Sequence, residues 1–147
     1  MTIHIRKGRH FANFWDLVKL TWITGVFRRR RFRIRFADDA FVYDEPDDYI
    51  GAYNKLMGRN HGLVPYARWG STRLGWRTVR EPDKRAAIEL VQFTEDRRGF
   101  VVSDSRLVFE GETFEYEVAG WGMPCWTFFG GRYPAPEPFE IEVLLLR

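Results

Sequence analysis

Acidic residues are almost missing from the start of this chain. Residues 1–36 hold one, Asp16, against eight arginines and two lysines, a net charge of +9. Residues 37–147 hold nineteen acidic and thirteen basic side chains, a net charge of −6. The overall +3 conceals a basic arm joined to an acidic body, and the nearest anionic partner for the arm is the same chain. Cysteine is scarce as well. Cys125 is the one thiol, which excludes an internal disulfide and a Cys-based zinc site. Its setting, after Pro124 and before Trp126-Thr127-Phe128, reads as an inert core thiol and not a nucleophile. No apolar run reaches the roughly 18 residues of a membrane span. The opening MTIHIRKGRH lacks the apolar core and small-residue cleavage site of a secretory signal, so the expected location is the cytoplasm.

What is abundant is aromatic. Six Trp, six Tyr and thirteen Phe make 17% of the 147 residues, a composition that favours strands. The chain shows no linker, low-complexity tract or repeat, so residues 1–147 are expected to form a single β-sandwich domain. Thr2 to Arg6 alternates as a short strand. Residues 11–26 read as a helical insert, with Asn13, Asp16 and Lys19 as a narrow polar stripe among apolar residues and Gly25 as its end. So broad an apolar surface is expected to be buried in its own domain or against another subunit. From Arg31 to Phe36 the pattern alternates again, with Phe32, Ile34 and Phe36 on one side and Arg31, Arg33 and Arg35 on the other. Phe41 to Tyr43 is expected to continue the sheet after a turn at Asp38-Asp39.

Glu45-Pro46-Asp47-Asp48 resembles a helix start, and a short helix near 47–57 would end at Gly58. Strands are expected near Trp69 and over 72–79, 87–94, 100–102, 106–109, 113–118, 126–129 and 139–145, separated by Gly, Pro and Asp turn signals. The expected fold is an all-β, jelly-roll-like β-sandwich with one N-terminal amphipathic helix and one short helix.

Three stretches carry a resemblance: IRKGRH with RFRIRF; Asn54-Lys55-Leu56-Met57-Gly58 followed by His61, Ala67-Arg68-Trp69-Gly70 and Gly75-Trp76-Arg77; and Phe128-Phe129-Gly130-Gly131 through Pro134-Ala135-Pro136 to FEIEV. In this order they resemble an uncharacterised group of small bacterial β-sandwich proteins. In that group a similar asparagine-lysine-leucine helix precedes a His-containing loop, and the chain closes on an aromatic-Gly-Gly…Ala-Pro segment. This sequence has one histidine in the loop instead of a pair, and a longer helical insert. The resemblance implies the sandwich and brings no activity with it.

Two surfaces are candidates for binding. His61, Arg68, Trp69, Arg73, Trp76 and Arg77 combine Trp faces that stack on sugars with guanidinium groups that bind acidic or hydroxyl groups. Arg28, Arg29, Arg30, Arg31, Arg33 and Arg35 form a basic patch able to grip phosphates. The alternatives are core for the tryptophans, surface for the arginines, and neutralisation of the patch by nearby acids. The second aromatic cluster, Trp121, Trp126, Phe128, Phe129 and Tyr133, poses the same question. Glu115 with Glu117, and Glu140 with Glu142, share strand faces at a spacing suited to glycoside hydrolysis, yet an open face supplies no raised pKa. His4, His10 and His61 are too scattered for a metal set, and no metal, cofactor or catalytic residue is expected. The reading is a non-catalytic binding or assembly protein that recognises an acidic protein partner, a second copy or a glycan. A jelly-roll glycoside hydrolase and a nucleic-acid-binding accessory protein are the alternatives. A membrane partner is not expected, because the helix's polar stripe carries one acid and one base.

Overall fold

Phe32, Ile34 and Phe36 are fully buried while Arg31 and Arg33 are exposed, which makes β2 (Arg30–Phe36) a strand with one dry and one charged face. The same alternation builds β1 (Thr2–Ile5), β7 (Phe114–Val118) and β9 (Phe139–Leu146). These pair antiparallel in the order β1-β9-β2-β7. A second antiparallel sheet contains β3 (Asn54–Asn60), β4 (Ser71–Arg80), β5 (Ala86–Asp96), β6 (Gly99–Phe109) and β8 (Pro124–Gly130), in the order β6-β5-β4-β3-β8. In this computed structural model the residues described are 1–25, 29–42, 53–60, 71–80, 86–96, 99–118, 122–130 and 135–146. The two sheets and one helix, α1 (Phe14–Thr24), confirm an all-β sandwich.

The core lies between the sheets and is aromatic. Trp76 meets Phe36, Phe129 and Phe139 with ring centroids 5.2, 5.2 and 5.3 Å away, and Trp126 meets Phe32 at 5.3 Å. Both indoles are buried, so each N–H needs an acceptor. Trp76 Nε1 donates to the Phe128 carbonyl at 2.7 Å, and Trp126 Nε1 to Thr24 Oγ1 at 3.0 Å. Two consecutive phenylalanines face the core because β8 bulges: Lys55 pairs with Gly130 and Met57 with Trp126, so two steps of β3 span four of β8.

β8 is an edge strand, and α1 lies along it. The Phe129 N–H donates to the His10 carbonyl just before the helix, while Trp126 reaches the helix's last residue, so α1 and β8 run in opposite directions. Asn13 caps the start by accepting from the Asp16 N–H at 2.8 Å, and Gly25 ends it at a φ of 65°. Leu20 and Thr24 are fully buried, and Leu17 and Ile23 pack partly on the core. The rest of the helix is not buried in its own domain, the first of the two burial sites expected: Phe14, Trp15, Val18 and Trp22 are exposed. An edge strand offers one narrow side for a helix to cover, so only one stripe of a nearly all-apolar helix is buried.

Three boundaries also differ from expectation. Residues 54–57 belong to β3 and not to a helix, while residues 43–52 lie outside the described residues. The helical spacing of Tyr53, Leu56 and Met57 misleads because β3 is buried on both faces and so lacks the alternation that marks a strand. Gly58, expected to stop a helix, instead lets two backbones approach; a Cβ there would sit 2.1 Å from the Thr72 carbonyl oxygen. Asp38–Val42 is a 3-10 turn and not a sheet continuation, with Phe41 buried; Tyr43 lies outside the described residues. The strands expected at 100–102 and 106–109 are one strand, β6, whose register shifts opposite Leu90 and Gln92.

Gly58→Ala should destabilise the protein by about 3 kcal/mol or more, since the added methyl meets backbone that no rotamer can move. Gly25→Ala, with open space around its Cβ, should cost about 1 kcal/mol through its backbone angle alone. Urea denaturation of the two variants beside the parent checks both values.

Candidate functional site

The arginines of the basic strand decide whether the arm is available to a partner. β2 lies between β7 and β9, and its outward arginines face the outward glutamates of both neighbours. Arg33 Nη2 lies 3.1 Å from Glu115, Arg31 3.7 Å from the same carboxylate, Arg29 3.6 Å from Glu117, and Arg35 3.6 Å from Glu142. His4 Nδ1 lies 2.9 Å from Glu140. Arm and body therefore meet within one chain. Each pair is solvated and contributes only about 0–1 kcal/mol, but together they cancel most of this face's field. Both glutamate pairs considered for hydrolysis are spent here as exposed partners of arginine or histidine. Arg28 lies outside the described residues. Arg30 points to the other side of β2 with Phe32.

The Arg68–Arg77 surface is only partly described: His61, Arg68 and Trp69 lie outside the described residues. Its other members are separated by the strand's two faces. Trp76 is at the centre of the core. Arg73 faces the opposite side and is nearly buried, donating from Nη2 to Asn60 Oδ1 at 3.0 Å and approaching Cys125 Sγ at 3.7 Å. Cys125 is buried and donates to the same amide oxygen at 3.3 Å. Trp126, Phe128 and Phe129 are core, while Trp121 and Tyr133 lie outside the described residues.

Arg77 belongs to a polar cluster that sequence reasoning missed. Glu89, only 14% exposed, accepts from Arg77 Nε at 2.7 Å, Ser105 Oγ at 2.9 Å and the Tyr53 hydroxyl at 3.1 Å. Arg77 also covers the Tyr53 ring at 4.5 Å. Burial alone would raise the Glu89 pKa, but the bonds from Arg77, Ser105 and Tyr53 outweigh it and hold the carboxyl below its usual value. Burial and the bond to Glu89 push the Tyr53 hydroxyl up. A low-pKa carboxylate with three donors is a structural anchor, unsuited to giving up a proton as a general acid. The available signal was one carboxylate in the otherwise apolar run AAIEL of β5.

A second missed residue is Arg59, almost wholly buried at the end of α1. Its guanidinium donates to the carbonyls of Thr24 at 3.1 Å, Gly122 at 3.0 Å, and Gly25. Burial first, and the nearby Arg30 cation second, lower its pKa. A cation on the last carbonyls of a helix is favourable to the helix dipole, and this one ties α1 to the sheet.

The remaining feature is the outward side of α1. Trp22 is 86% exposed, Trp15 71% and Phe14 68%, with Phe11 and Val18 beside them. Among the described residues no three His, Cys, Asp or Glu side chains gather as a metal site. A surface depression of about 240 Å³ beside Met1, Arg35 and Leu144 is smaller than the roughly 300–1,000 Å³ of ligand pockets. No helix of the described residues is long and apolar enough to cross a membrane. Compared with known proteins, the chain matches no family model, no curated protein and no solved structure.

Because the Glu89 pKa is depressed in the folded state, its stabilisation is present above the unfolded carboxyl value and is lost as pH falls through the folded one. Glu89→Gln should cost about 1–3 kcal/mol at neutral pH and flatten this part of the acid decline. Urea denaturation at a series of pH values, comparing the slopes of the two proteins, checks it.

Proposed function

We propose that this chain is a non-catalytic binding or assembly protein whose contact surface is the outward aromatic side of α1. The observation that carries the reading is Trp22, the most exposed large apolar residue described, on a helix whose opposite side is buried. Large apolar side chains clustered on a surface mark interaction sites, whereas scattered single ones do not.

Two further observations support binding over the enzymatic and nucleic-acid alternatives. Glu115, Glu117 and Glu142 are exposed and each already pairs with an arginine of the same chain, which leaves them less available as the two carboxyl groups of a hydrolase. The outward arginines of β2, Arg31, Arg33 and Arg35, have carboxylate partners in the same chain, which weakens their attraction for phosphates. Recognition of an acidic partner or glycan through Arg73, Trp76 and Arg77 is less favoured than recognition through α1. Two of those side chains are buried, and the third is bonded to Glu89.

Hydroxyl-radical footprinting in intact cells and on the purified protein tests the reading. Phe14, Trp15 and Trp22 should be oxidised in the purified protein and protected several-fold in cells, with exposed Leu144 on the other sheet as the unprotected reference. Equal oxidation of the helix in both settings would sink the proposal.

A further inference from the structure

The exposed residues of α1 form one stripe. Phe14, Val18 and Trp22 follow at intervals of four, with Trp15 beside them, and Phe11 extends the line before the cap. The helix cannot roll to hide them, because Leu20 and Thr24 are fully buried and Arg59 and Trp126 are bonded to its last turn. The polar stripe that counted against a membrane lies beside the aromatic face and not across it, with Asn13 and Lys19 exposed. Asp16 is half-buried and accepts from the Asn13 side-chain amide at 2.7 Å, leaving Lys19 as the charged residue on the rim of the aromatic face.

We infer that the occupant of this face is an anionic lipid surface, a step that rests on the docking reading above. The first argument is charge. Arg6 and Arg9 are exposed just before the helix, on either side of Lys7, which pairs with Glu137 at 3.2 Å; the segment is held in place by bonds from Gly8 N–H to the Ala135 carbonyl and from Ala135 N–H to the Arg9 carbonyl. Cations flanking an outward Trp/Phe face are the combination that seats a helix in the headgroup region, aromatics down and cations on the phosphates. The second argument is area. At roughly 150–250 Å² for a whole aromatic side chain, the exposed fractions of the stripe sum to roughly 500–600 Å². A stable protein dimer needs about 800 Å² per partner. The stripe alone falls short of that, whereas a bilayer needs no complementary surface. The third is length: eleven residues rise roughly 16 Å, too short to span but suited to lying in the interface.

Flotation with vesicles of phosphatidylcholine, with and without about 30% phosphatidylserine, tests this on the full chain. The protein should float with the anionic vesicles, its Trp emission should shift to the blue, and binding should fall with salt. Trp15→Ser with Trp22→Ser should reduce binding roughly tenfold or more at an unchanged melting temperature. Arg6→Gln with Arg9→Gln should weaken binding to anionic vesicles and leave the fold intact. Absence from both kinds of vesicle, or binding that ignores the tryptophans, overturns the inference. So does a stable dimer in light scattering that the same tryptophan changes dissolve, since a second copy then covers the face. Protection in cells without vesicle binding refutes the lipid alone; no protection in cells refutes docking as well.

Discussion

A single buried guanidinium joins the parts of this structure that the chain itself keeps apart. Arg59, in β3 beside the edge strand β8, donates to carbonyls at the end of α1 and to Gly122 just before β8. The helix is thereby fixed against the edge strand it covers, with Trp126 bonded to Thr24 as a second fastening. The cation costs desolvation, seen in its lowered pKa, and the helix-end carbonyls offset that cost. The exposure of the helix's outer side depends on this fixation. A loosely attached apolar helix would turn its aromatics inward; a fixed one must leave them in solvent or give them to a partner.

The charge pattern has a similar logic. A strand has two faces, and β2 uses one for Phe32, Ile34 and Phe36 and the other for arginine. Because both neighbours present glutamate outward, the most basic segment of the sequence becomes a nearly balanced surface. Polarity along the sequence is therefore a poor guide to polarity on the surface. Among the described residues near the helix, Arg6, Arg9 and Lys19 are exposed and stand outside these pairs.

Much of the sandwich was legible residue by residue. Period-two alternation marked β2, β7 and β9, and turn residues marked most strand ends. The failures share one cause. β3 was read as a helix and β6 as two strands because burial on both faces or a register shift erases alternation. Trp76 and Arg73 looked like neighbours in a ligand surface, yet three residues along a strand put them on opposite faces, one in the core and one against Asn60 and Cys125. Glu89 and Arg59 went unnoticed because an isolated charge in an apolar run acquires meaning only from its partners.

By itself, the sequence determined the fold class, the two faces of β2, the existence of the N-terminal helix and its end at Gly25, since these rest on local periodicity and backbone preference. Only the tertiary structure decided which side of that helix is buried, which arginines are already paired, and which tryptophans are core. Those outcomes depend on strands far apart in the chain being brought side by side. The edge of β8 has room for one stripe of α1 and no more, and so the aromatic side ends up facing out.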